Sequence, residues 1–95
     1  MNIEDLENIF TEFEDEHGEF ERIKDAPYKR SDLCAFIKLH ELVPGDDRII
    51  AAAEHDEIYF DIELDDLATA AIKDDIIYLI RCGVRITDCG LGMFV

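Results

Sequence analysis

The sequence predicts an α+β fold, one small domain over residues 1–95 in which an antiparallel sheet of two hairpins packs against helices. Three observations predict it. Apolar residues recur at helical spacing near the N-terminus. Ile58, Phe60 and Ile62 alternate with Tyr59, Asp61 and Glu63, which marks a strand with one wet face. Near the C-terminus, Asp88-Cys89-Gly90 separates two short apolar runs, as a hairpin turn does.

Taken in order, Ile3, Leu6, Phe10, Phe13, His17 and Phe20 form one helical stripe. Asn2 is its expected N-cap, and Glu4, Asp5 and Glu7 suit the positive end of the helix dipole. The helix is expected from residue 3 to 17, with a continuation toward residue 23 left open by Gly18. Asp25-Ala26-Pro27 ends it. A second helix starts with Ser31 as N-cap, carries Leu33, Phe36, Ile37, His40 and Val43 on one face, and stops at Pro44-Gly45. Segments 49–53 and 58–62 are expected to pair across a four-residue loop, Glu54-His55-Asp56-Glu57. Asp65 and Asp66 then open a short alanine-rich helix, and Asp74 and Asp75 a stronger one through Arg81. That last helix is apolar on more than one side, so it is expected to be the most buried. Gly83 suits the left-handed position after it.

Composition bounds the function. Apolar residues are 48% of the 95, too many for a disordered acidic tail despite a net charge of -15. Cys34, Cys82 and Cys89 form no CxxC pair, and no signal peptide is visible, so a cytoplasmic protein with reduced thiols is expected. The longest uncharged apolar run, Ile76 to Ile80, is far too short for a membrane span. An anionic leaflet and nucleic acid would both repel the chain, so neither is an expected partner.

Catalytic and cofactor signatures are missing. His17, His40 and His55 are far apart and make no HExxH spacing. His17 and His40 are read as boundary or core histidines, His55 as an exposed loop residue. Cys82 and Cys89 fit no zinc spacing and read as small buried hydrophobes. Aligning Gly18 with the glycine of an EF-hand loop puts Phe13 and Lys24 at ligand positions, which excludes that motif. Gly90-Leu91-Gly92 has no helix after it to hold a phosphate. No catalytic residue, cofactor or metal site is therefore expected, and no enzyme.

Charge placement is the informative feature. Residues 1–21 hold nine acids and no base, residues 22–48 are nearly neutral, and residues 54–66 hold seven acids and no base. A solvated face kept for solubility usually mixes signs, so base-free blocks favour a surface built for a basic partner. Asp5, Asn8, Glu12, Asp15 and Glu19 would form a ridge opposite the apolar stripe, with Cβ neighbours ~5–6 Å apart. Asp5, Glu12, Asp15, Glu16 and Glu19, extended by Asp61, Glu63, Asp65 and Asp66, are the expected partner-binding residues. Such a row can stand in for phosphates in the Lys/Arg-lined groove of a nucleic-acid-binding protein. The expectation is an inhibitor or decoy of the anti-defence kind that phages and mobile elements use, anti-CRISPR proteins among them. That is an analogy of size and charge alone. An antitoxin or immunity protein masking a basic nuclease, and a small acidic subunit of a larger assembly, are the alternatives.

Overall fold

The computed structural model describes every residue from Met1 to Val95 and shows a small α+β domain of four helices and a four-stranded antiparallel sheet. The helices are α1 (Ile3–Glu12), α2 (Ser31–Leu42), α3 (Leu64–Ala70) and α4 (Lys73–Cys82). The strands are β1 (Ile50–Glu54), β2 (Glu57–Phe60), β3 (Val84–Thr87) and β4 (Gly90–Phe94). Strand order is β1-β2-β4-β3, so the two sequence hairpins join through β2 and β4. No helix is long and apolar enough to cross a membrane.

Pleating decides which side of the sheet is dry. Ile58 sits opposite Met93, which sits opposite Val84, and these three are buried with Phe60 and Leu91. The alternate positions Glu57, Tyr59, Arg85, Thr87 and Phe94 lie on the other face. All four helices cover the dry face. Phe36 of α2 meets Phe60 edge to face at 5.7 Å, and Ile76, Leu79, Ile80 and Cys82 make α4 the most buried helix, as its sequence predicts. Burial of Cys82, with the charge of nearby Cys34, pushes its thiol up to about 12.

Two glycines are required by geometry. Gly83 ends α4 with φ +102°, a conformation side-chain-bearing residues rarely adopt. At Gly92 a Cβ would stand 2.8 Å from the Ile58 carbonyl oxygen, so only glycine lets β4 approach β2 under the Tyr59 ring.

The N-terminal helix is shorter than its periodicity predicts. It stops at Glu12, and two 3-10 turns, Glu14–Glu16 and Phe20–Arg22, replace the expected continuation. Tertiary hydrogen bonds outcompete helix propagation there. The Gly18 N–H, at φ +76°, donates to the Ile80 carbonyl at 3.1 Å, and His17 Nε2 donates to the Gly83 carbonyl at 3.0 Å. His17 itself is exposed. The buried line of α1 is Leu6 and Ile9, with Phe10 and Phe13 half-buried beside it. Ile9, outside the expected stripe, takes the central place.

Other boundaries shift for local reasons. Ser31 is the first helical residue of α2 and makes no side-chain cap; Asp32 Oδ1 instead accepts the Leu33 N–H at 2.9 Å. Cys34, Ala35 and Leu39 are the buried side of α2, and His40 is exposed. The first hairpin turns on two residues, His55 and Asp56, because Glu54 and Glu57 pair as strand residues. His55 takes φ +53° to allow it. Cys89 is exposed in the β3–β4 turn, not buried.

These placements give two checks. Leu6→Ala and Ile9→Ala should each lower stability in urea by about 2–5 kcal/mol, the range for emptying a core site. Glu12→Ala should leave the urea midpoint unchanged. An Ile9→Ala variant as stable as the parent would put the buried side of α1 elsewhere. Titrated with Ellman's reagent, Cys89 should react in the folded protein, and Cys34 and Cys82 only after denaturation.

Candidate functional site

The inner side of α1 is occupied by Leu6 and Ile9, so Glu4, Asp5, Glu7 and Glu12 point to solvent, followed by Glu14 and Asp15. Asp5 also serves its own helix. Its Oδ2 accepts the Asn2 N–H at 3.2 Å while Asn2 Oδ1 accepts the Asp5 N–H at 2.8 Å, a reciprocal cap.

The second block comes to the start of this helix. The Met1 ammonium donates to the Ala68 carbonyl of α3 at 3.2 Å, which lays α1 beside α3. Glu63, Asp65 and Asp66 are exposed around the first turn of α3, where the helix dipole favours anions. Asp61, Glu63 and Asp65 line a cleft of about 380 Å³ whose apolar wall includes Ile3 and Leu64. Tertiary structure thus brings Ile3 at the start of α1 beside Asp61, Glu63 and Asp65, with Asp5, Glu12 and Asp15 exposed further along the N-terminal segment.

Five of the nine bases form close ion pairs. Arg22 and Arg81 pair with Glu16, Arg85 with Glu57, Lys38 with Asp75, and Arg48 with Asp61. Lys73 lies 5.1 Å over the Phe13 ring. No basic side chain comes within 4.0 Å of Glu4, Asp5, Glu7, Glu12, Glu14, Asp15, Glu63, Asp65 or Asp66.

Three expected surface acids are otherwise engaged. Glu16 is turned inward. Its Oε1 accepts from Arg81 Nη2 at 2.7 Å and Nε at 3.2 Å, and its Oε2 takes Arg22 Nη1. The Arg81 hydrogen bonds, joined by Arg22 and opposed by partial desolvation, hold its carboxyl below the ordinary 4.5. Glu16 therefore belongs to the structure and not to the acidic face. Glu19 is half-buried, 4.0 Å from Arg22 Nε, and the neighbouring Glu21 carboxyl raises its pKa. Asp61 faces Arg48 at 3.7 Å in an exposed pair, a geometry of small energetic worth.

Sequence periodicity also missed a polar cluster on the wet face of the sheet. Glu57 accepts from the Tyr59 hydroxyl at 2.7 Å and pairs with Arg85, whose guanidinium stacks 4.3 Å from the Phe94 ring centroid. The bond to Glu57 pushes the Tyr59 phenol up to about 12. Alternation from Ile58 placed Tyr59 on the wet face, with Glu57 expected in the loop, and nothing in the sequence paired either with Arg85.

The chain has no match among protein-family models, curated proteins or solved structures. The site is therefore read from its own residues. No three His, Cys, Asp or Glu side chains are grouped so as to hold a metal ion. What the arrangement offers is uncompensated negative charge on two adjacent helices, with a cleft wide enough for a cationic side chain at its end.

Glu16 yields a pH-dependent test. Its folded pKa is lowered, so its contribution is complete above the ordinary 4.5 and is lost as pH falls through the lowered value. Glu16→Gln should reduce Tm at neutral pH, and the gap to the parent should close as the pH drops below 4.5. A gap that stays constant into acid would show that the carboxylate charge does not hold the two arginines.

Proposed function

We propose that the protein is a non-enzymatic acidic binder that occupies a basic groove of a nucleic-acid-binding protein by presenting carboxylates where the groove expects phosphates. One observation carries the reading: the exposed acids of α1 and of the start of α3 have no basic side chain within 4.0 Å, although five of the nine bases form ion pairs with other acids. Keeping such charges unpaired costs stability through self-repulsion. A surface serving solubility alone would relieve that cost by mixing signs. The binding residues are Asp5, Glu12, Asp15, Glu63, Asp65 and Asp66, with Asp61 available once Arg48 moves aside. Glu16 and Glu19 stand outside the set.

Charge reversal tests this more strongly than alanine, since like charges meeting across an interface cost several kcal/mol while losing one rim acid costs little. A variant with Asp5, Glu12 and Asp15 changed to lysine, and another with Asp65 and Asp66 changed to lysine, should fold. Each should lose a lysate partner that the parent captures at low salt and releases to double-stranded DNA. Capture by both variants at parental strength, or a captured protein that DNA does not displace, would rule out charge imitation.

A further inference from the structure

The border strand β1 combines an uncovered backbone with an acidic cleft at its end. Ala51, Ala52, Ala53 and Glu54 are all exposed, and β1 has a neighbour on one side only. Around the tight His55-Asp56 turn, Glu54 and Glu57 form the hydrogen-bonded pair. Antiparallel alternation then points the N–H and C=O of Ala53 away from β2. The bulge between Ile50 and Ala52 leaves Ala51 without a partner on β2. Outward groups on an exposed border are a template for another strand; proteins blunt them with lysine, proline or a bulge, and of these β1 has only the bulge at Ala51. Here three successive alanines leave the backbone open.

Charge says what fits. Ala51 lines the cleft of about 380 Å³ together with Asp61, Glu63 and Asp65, and Ile3 and Leu64 supply its apolar wall. At the other end of the strand stand Glu54 and Asp56. We propose that the β1 border docks an extended, lysine- or arginine-bearing segment of a partner protein. The segment's main chain pairs with Ala51 and Ala53. One basic side chain enters the cleft, its methylenes against Ile3 and Leu64 and its charge beside Glu63 and Asp65, with Asp61 already paired with Arg48. This specifies the partner's chemistry and rests on the reading that the partner is basic. A second copy is the wrong occupant. Each chain carries -15, and antiparallel pairing of two β1 borders brings Glu54 and Asp56 of each toward the cleft acids of the other.

The test uses the full chain and two synthetic peptides at low salt. One is a short peptide alternating lysine with valine; the other has the same sequence and charge but is N-methylated along its backbone. The unmethylated peptide should bind about tenfold more tightly, the effect of a few main-chain hydrogen bonds, and should shift the amide resonances of Ala51 to Glu54. Ala53→Pro removes the outward donor at a border position that tolerates proline, and should erase the difference between the peptides; Ala53→Ser should keep it. Glu63→Gln with Asp65→Asn should weaken both peptides. If Ala53→Pro fails to fold, the two peptides on the parent protein decide alone. Equal affinity for the two, or no binding of the unmethylated one, overturns the proposal. Shifts confined to the α1 acids also overturn it while leaving the basic-partner reading standing. Concentration-dependent dimerisation that protects the Ala51–Glu54 amides overturns it in favour of a second copy.

Discussion

Glu16 holds the fold together at the point where the N-terminal segment meets α4. Its carboxylate receives Arg81 from α4 and Arg22 from the following turn, while the Gly18 N–H and the His17 ring reach the last carbonyls of the same helix. Carbonyls at a helix C-terminus have accepting capacity to spare, and here the incoming segment uses it at Ile80 and Gly83. Three polar links at one place stop α1 at Glu12 and fold the chain back over α4. With that reversal set, Leu6 and Ile9 reach the core, and the remaining acids of the segment have nowhere to go but outward.

The same contact sets the charge distribution. A chain of 24 acids and 9 bases must leave many carboxylates unpaired, but which ones is a matter of placement. Arg22, Arg81 and Arg85 pair with the partly buried acids Glu16 and Glu57, where desolvation makes an uncompensated charge most costly. Among the acids left over are those on the exposed turns of α1 and α3, where water screens them well. Segregation of sign thus follows from an energetic preference for neutralising the less exposed acids first. The consequence is a run of exposed carboxylates of one sign on α1 and at the start of α3.

The sheet imposes a second constraint. Only one face packs against helices, so the wet face must be stabilised from within. The Glu57–Tyr59–Arg85–Phe94 cluster does this across three strands, with Gly92 allowing the Tyr59 ring to lie flat over β4. That cluster lies on β2, β4 and β3. Nothing equivalent reaches β1, whose alanines carry no group able to join it. β1 is therefore held by its hairpin with β2 and is free along its other border.

Much of the fold was legible because its signals are local. Alternation at Ile58 and Phe60, the Asp88-Cys89 turn, the apolar α4 and the left-handed Gly83 each depend on neighbours in the chain, so periodicity and turn chemistry determined them. The exposed acids Asp5, Glu12, Asp15, Glu63, Asp65 and Asp66 were legible for the same reason, since they oppose or flank apolar positions on short elements. What spacing did not reveal depends on partners distant in sequence. Ile9 and Phe10 fit a helical stripe equally well, and only the position of α4 chooses between them. Glu16 looks like any other acid in its block until Arg81, 65 residues away, turns it inward. The length of α1, the role of Glu57 and the open border at Ala51 and Ala53 were likewise decided by tertiary contacts. A carboxylate's fate depends on which cation reaches it, and that is fixed only when the chain closes on itself.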